Sequence, residues 1–124
     1  QADVAALPFR DQSFDAVLCR HVLEHLEAEG RKAAASELLR VVRPGGMIFF
    51  EGFSVNDARF GKGRQVEPST FVRGDGISYH YFTAQEVGQL FTGAGSIDPR
   101  ERTWDERAGR TRMKRAVIEA EIQK

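Results

Sequence analysis

The run Cys19-Arg20-His21-Val22-Leu23-Glu24-His25 concentrates more reactive side chains than any other short stretch of the chain. A thiol attacks only as its thiolate, and Cys19 has no identifiable basic partner, so it reads as a wall residue rather than a nucleophile. His21 and His25 stand four apart, a spacing that sets two imidazoles on one helix face as a metal pair would need. The order His-x-x-Glu-His is not the His-Glu-x-x-His of zinc peptidases, however, and no third ligand is evident, so no metal is expected. His21 is left with two uses, contacting a ligand or capping the next turn. Glu24 supports local geometry or solvates a helix face. A second constellation follows later, where Arg59, Lys62, Arg64 and Arg73 interleave with Phe60, Phe71, Tyr79 and Tyr81. Cations and flat rings in one segment can grip phosphates and stack on displaced bases. The same rings can instead anchor a local core, and the same cations can simply face water. Asp75, between Gly74 and Gly76, sets turn geometry or touches a base. No catalytic acid or base is assigned.

These side chains need elements to carry them. Phe14 to Cys19 is a short apolar run after the turn-like Asp11-Gln12-Ser13, which suits a buried parallel strand. Ala35, Leu38, Leu39 and Val42 recur at helical offsets, with Arg31, Lys32, Glu37 and Arg40 at the wetter positions, and Pro44-Gly45-Gly46 ends the helix. Met47 to Phe50 is a second apolar run, so residues 14 to 50 predict strand, crossover helix and strand, with the strands parallel. Residues 54 to 79 show no sustained period and predict a long insertion or lid, or a small irregular subdomain with hidden helical turns. Thr83 with Glu86 three residues on predicts a capping box, before an apolar helix face of Val87, Leu90 and Phe91. A hairpin closes the chain: a strand near Ile97 to Trp104, a turn around Ala108-Gly109-Arg110, and a strand near Met113 to Ile122.

The chain has 124 residues, 41% of them hydrophobic, enough for one core. Eighteen basic residues balance eighteen acidic ones, so any attraction to anions must come from local patches. A single cysteine excludes an intrachain disulfide and fits a reducing compartment. No window approaches the roughly twenty apolar residues of a membrane span. The chain opens without Met or a signal-like core, so its first residues read as a cut into a continuing fold.

The series Asp3-Val4-Ala5-Ala6-Leu7-Pro8-Phe9-Arg10-Asp11-Gln12-Ser13-Phe14-Asp15, then His21 to Leu26, then Leu39-Arg40-Val41-Val42-Arg43-Pro44-Gly45-Gly46, resembles the segment from the third strand onward in class I S-adenosylmethionine-dependent methyltransferases. The resemblance implies an α/β fold, the C-terminal half of a Rossmann-like sheet with a long insertion and a terminal antiparallel hairpin. Residues 1–124 would be a partial catalytic domain, and 54–82 a substrate-side insertion or lid. No Gly-x-Gly-x-x-Gly occurs, and the glycine-rich cofactor loop is expected before Gln1, so these residues alone are expected to be inactive. In S-adenosylmethionine binding, Asp3 would accept from the adenine amino group and the Val4 amide would donate to an adenine ring nitrogen, with Asp3 as a mere loop cap the alternative. Cys19, Arg20 and His21 would face the cofactor cleft.

Arg59-Phe60-Gly61-Lys62-Gly63-Arg64, Phe71-Val72-Arg73-Gly74-Asp75-Gly76, Tyr81-Phe82-Thr83 and the final Met113 to Lys124 carry the resemblance further, to the eukaryotic tRNA 3-methylcytidine methyltransferases. That implies methyl transfer to N3 of cytidine in a tRNA anticodon loop, with Arg59, Phe60, Lys62, Arg64, Arg73, Asp75, Tyr79 and Tyr81 on the substrate side. It implies tRNA as partner, with seryl-tRNA synthetase or another tRNA-selecting protein beside it, no membrane, and a cytoplasmic location that leaves mitochondrial or nuclear targeting open. Three departures stand out: Glu51-Gly52-Phe53-Ser54 replaces a pattern nearer Arg-Asp-Tyr-Gly, Ile77-Ser78-Tyr79-His80 replaces one beginning Thr-Arg, and His21 to Leu26 is nearer the generic methyltransferase pattern than this branch's apolar sequence. The alternatives are a quinone- or sterol-type small-molecule methyltransferase and a noncatalytic RNA-binding fragment.

Overall fold

A computed structural model describes residues 3–124. The expected strand, helix and strand are β1 (Phe14–Arg20), α1 (Ala28–Val41) and β2 (Val42–Phe53), with a single 3-10 turn at Leu23–His25 between β1 and α1. β1 and β2 are parallel, and their continuous register runs from Ala16 opposite Met47 to Arg20 opposite Glu51. Pro44-Gly45-Gly46 lies where that register shifts, between the Phe14–Val42 pair and the ladder. Gly46 is required there, since a Cβ would sit 2.6 Å from a Val42 methyl and 2.7 Å from the Asp15 carbonyl oxygen.

The insertion contains more order than its sequence suggests. β3 (Arg64–Glu67), β4 (Thr70–Val72) and β5 (Ser78–His80) form a three-stranded antiparallel sheet of their own. α2 (Ala84–Leu90) follows, and the Glu86 amide donates to the Thr83 hydroxyl at 3.1 Å as the capping pattern requires. The reciprocal half of the box does not form, because the Glu86 carboxylate turns to His80 Nε2 at 2.7 Å. β6 (Ser96–Ala108) and β7 (Thr111–Gln123) are the hairpin, longer than expected and joined by only Gly109 and Arg110. Gly109 takes φ +63°, a conformation that costs glycine nothing at the first position of a two-residue turn.

The main sheet has the order β1-β2-β7-β6, with both pairings of β7 antiparallel. Register places Val17, Cys19, Ile48, Phe50, Ile118, Ala120 and Ile122 on one face. Ala34, Ala35 and Leu38 of α1, Val87 of α2 and Phe91 at its end pack there to make the core. Each large side chain so buried contributes roughly 1.5–3 kcal/mol relative to exposure. Among the described residues, both helices lie on this face and nothing pairs with the outer edge of β1. Two helix positions differ from the sequence pattern. Arg31 is buried rather than wet, donating to the Leu26 carbonyl and pairing with Glu67 at 2.8 Å, and Leu39 is only partly buried. The alternation expected in β7 also breaks, since Val117 is as buried as Ile118.

Candidate active site at the parallel strand ends

In an open α/β sheet the ligand crevice lies beyond the carboxyl ends of the parallel strands. Here β1 ends on Arg20 and β2 on Glu51-Gly52-Phe53. The next residue, His21, takes a left-handed φ of +54°, which His tolerates better than most residues, and its amide donates to the Glu51 carbonyl at 2.8 Å. That turn brings its ring between two carboxylates. Nδ1 lies 3.0 Å from Glu24 Oε1 and Nε2 lies 2.7 Å from Glu51 Oε2. The Glu24 bond is the main reason the His21 pKa is raised, and the charge of Glu24 and the Glu51 contact add to it against the cost of burial. Glu24 itself is buried. Arg20 and Arg102 approach Glu51 at 3.5 and 3.6 Å.

The insertion closes on this cluster through aromatic contacts. The His21 ring is 4.7 Å from that of Phe53, and the Arg115 guanidinium lies 5.1 Å from the Phe53 ring on its way to Asp57. His25 reaches the Ser78 carbonyl at 2.9 Å and stands edge-on to Tyr79 at 5.1 Å, while the Arg73 guanidinium lies 5.3 Å from the Tyr79 ring. Asp57 anchors the insertion. Buried to 3% exposure, it accepts from Arg115 Nε at 2.8 Å and from the amides of Ala116 and Arg59.

The residues singled out by sequence divide into several groups. Asp3 is exposed and its Oδ1 accepts from the Ala5 amide at 2.9 Å, which is the loop-capping geometry. Val4 lines a mainly apolar trough of about 330 Å³ along the free edge of β1, with Leu7, Leu18, Cys19 and Val22. Cys19 is buried and its thiol is pushed up to about 11, first by burial and then by Glu24, so it is no nucleophile at neutral pH. Arg20 and His21 meet at Glu51. Arg73 and Tyr79 lie together beside His25, and Asp75 fixes the β4–β5 turn by accepting from the Ile77 amide at 2.8 Å. Lys62 and Arg64 are exposed, and Arg59 is partly so. Tyr81 must be reassigned: it is 1% exposed, its hydroxyl donates to the Arg59 carbonyl, and it packs with Phe60 and Phe71 as the insertion's small core. It offers no face to a base. Phe60 is a partial case, 39% exposed but edge-on to Phe71.

Sequence reasoning did not find Glu51, Asp57, Arg115 or the buried chain Thr70–His80–Glu86, in which Thr70 Oγ1 lies 2.6 Å from His80 Nδ1. Their partners lie up to 59 positions apart, beyond any local pattern. A concavity of about 720 Å³ lies between α1 and α2, away from the strand ends, and its Arg31 and Arg40 already hold carboxylates.

Residues 1–50 match the family model described as a methyltransferase domain. The chain superposes on a SAM-dependent methyltransferase of Methanosarcina mazei with TM-score 0.75 and 20% identity, covering 98% of this chain and 65% of that one. Its fold is that of a class I S-adenosylmethionine-dependent methyltransferase domain. The domain resembles the tRNA N(3)-cytidine methyltransferases METTL2 of Gallus gallus, at 35% identity over 96 residues, and METTL2B of Homo sapiens, at 33% over 91 residues. Those alignments cover 75% and 71% of this chain but 26% and 24% of the relatives, so the chain spans about a quarter of their length. A 1,6-didemethyltoxoflavin-N1-methyltransferase of Burkholderia thailandensis shares the fold at TM-score 0.64 and 17% identity, over 97% of this chain and 48% of that one. The methyltransferase fold implies S-adenosylmethionine as cofactor. Toward its adenosine end, the Asp3 carboxylate keeps acceptor capacity beyond the Ala5 amide, as an adenine amino group would need.

Proposed function

We propose that the complete protein methylates N3 of cytidine in the anticodon loop of a tRNA. The observation that carries the reading is the insertion, whose Arg59, Lys62, Arg64 and Arg73 have no carboxylate within 4 Å among the described residues, joined to the strand ends through Tyr79 and His25. The similarity to proteins named tRNA N(3)-cytidine methyltransferases supports N3 of a tRNA cytidine as the acceptor. S-adenosylmethionine supplies an electrophilic methyl group on a sulfonium. Asp3 and the Val4 amide would hold its adenine. Neutral cytosine already carries a lone pair on N3, so no strong base is needed and alignment dominates the rate. Glu51 and Glu24 fix the His21 ring at the strand ends, and Arg20 and Arg102 balance Glu51 there, so the cluster shapes the floor of the site. The Arg73–Tyr79 pair offers a flat cationic surface on which an unstacked base can rest. Selection among tRNAs would fall partly to a protein such as a seryl-tRNA synthetase, and a cytoplasmic location belongs to this reading.

A small-molecule acceptor is the second reading. It is favoured by Glu51, a carboxylate where the tRNA-family pattern has arginine. Methyl incorporation by the full-length protein into unmodified tRNA, followed by nucleoside mass spectrometry, decides between them. The first reading expects 3-methylcytidine. Methyl transfer confined to small molecules would overturn it.

A further inference from the structure

We propose that the tip of the β6–β7 hairpin is a second phosphate-binding element, one that extends the basic face of the insertion along the RNA backbone. The inference rests on the RNA reading above. β6 and β7 have 13 residues each, yet β7 pairs with β2 only over Val117–Gln123. The rest of the hairpin runs on past the sheet as a two-stranded ribbon. Its tip carries Arg107, Arg110 and Arg112 within six residues and no acid among them. All three are exposed, and register sets Arg107 directly opposite Arg112.

Like charges facing each other across a strand pair destabilise it, and a lone ribbon has little stability to spare. Further back on the same strands, arginines are neutralised: Arg102 pairs with Glu119, and Arg115 with Asp57 and Glu106. None of the three tip arginines has a carboxylate within 4 Å among the described residues. The chain as a whole is neutral, so the cluster is a segregation of charge rather than a share of a general excess. What relieves it is an external anion, and guanidinium forks suit phosphodiester oxygens. The ribbon is also continuous with the insertion. The Ala58 amide donates to the Lys114 carbonyl at 2.9 Å, which lays the chain alongside the ribbon one residue before Arg59. A small acceptor would have no use for cations so far along a projecting hairpin, whereas a folded RNA presents phosphates over that span.

The test uses the full-length protein with Arg107→Gln, Arg110→Gln and Arg112→Gln combined, and a second variant with lysine at the same three positions. Filter binding of unmodified tRNA across a salt series, beside a titration with S-adenosylmethionine, gives the readouts. Each phosphate contact contributes about 0.7–0.9 to the slope of log affinity against log salt, so the glutamine variant should lose roughly two units of slope. The lysine variant should keep most of the slope, and both should bind S-adenosylmethionine as the parent does. An unchanged slope in the glutamine variant, with the parent binding tRNA, overturns the proposal and leaves the RNA reading standing. Equal loss in both variants overturns it as well, since that points to geometry rather than charge. A parent protein that binds no RNA removes the RNA reading itself, and this inference with it.

Discussion

The cations of the sheet and helices differ from those of the insertion and hairpin tip. In the first region Arg20, Arg31, Arg40, Arg43, Arg100, Arg102 and Arg115 each lie within 4 Å of a carboxylate. In the second, Arg59, Lys62, Arg64, Arg73 and the tip arginines have none among the described residues. A neutral chain has acids enough for all its bases. On the proposed reading, the charge is left for a ligand where acids are withheld; where they are supplied, arginine holds the fold. Most exposed pairs stabilise little, but the pairs at Arg31 and Arg115 are buried and tie the insertion to α1 and β7.

The largest effect is expected where the two regions join. Asp57→Ala leaves Arg115 buried without its main partner and frees the amides of Ala116 and Arg59, so it should cost about 3–5 kcal/mol. Chemical denaturation of the full-length protein measures the loss, and limited proteolysis should show cleavage moving into residues 54–82. A variant as stable and as resistant as the parent would mean that the insertion is held by something else.

Asp3→Ala is expected to weaken S-adenosylmethionine binding by about 1–3 kcal/mol, the usual cost of a buried donor left without its acceptor. Thermal stability should change little, because Asp3 is exposed and only caps its own loop. Calorimetric titration paired with melting separates the two roles, and an unchanged affinity would leave Asp3 as a cap and nothing more.

A smaller effect concerns His21. Its pKa in the fold is raised above the unfolded value of 6.5, chiefly by Glu24, so its bound proton stabilises the fold fully below that value. The stabilisation is lost as pH rises through the raised value. Melting temperatures of the parent and of His21→Gln should therefore differ more at about pH 6 than at about pH 9. Glu24→Gln should flatten that difference. A gap between parent and variant that stays constant with pH would show that the two carboxylates do not hold the proton.

The main sheet was legible because its signals are local. The apolar run of Phe14 to Cys19, the stripe through Leu38, and the strand–turn–strand pattern from Ile97 to Ile122 each declare an element within a dozen residues. β3, β4 and β5 were not legible, since strands of three or four residues are too short to show a period. Their core of Phe60, Phe71 and Tyr81 is drawn from three separate segments, so base-facing and core-facing rings look alike in sequence. The centre of the candidate site was half legible. His21 was singled out, but Glu24 stood between supporting local geometry and facing water until the fold placed His21 and the Phe53 amide around it.

The division between paired and unpaired cations meets its most direct test in the salt dependence of tRNA binding by two charge-matched variants of the full-length protein. One combines Arg59→Gln, Lys62→Gln and Arg73→Gln. The other combines Lys32→Gln, Arg43→Gln and Arg100→Gln, three exposed cations that face Glu29, Asp15 and Asp98. The first should lose roughly two units of slope in log affinity against log salt, and the second should match the parent. Equal slopes in the two variants would contradict the account, because unpaired charge would then have nothing to do with where RNA is held.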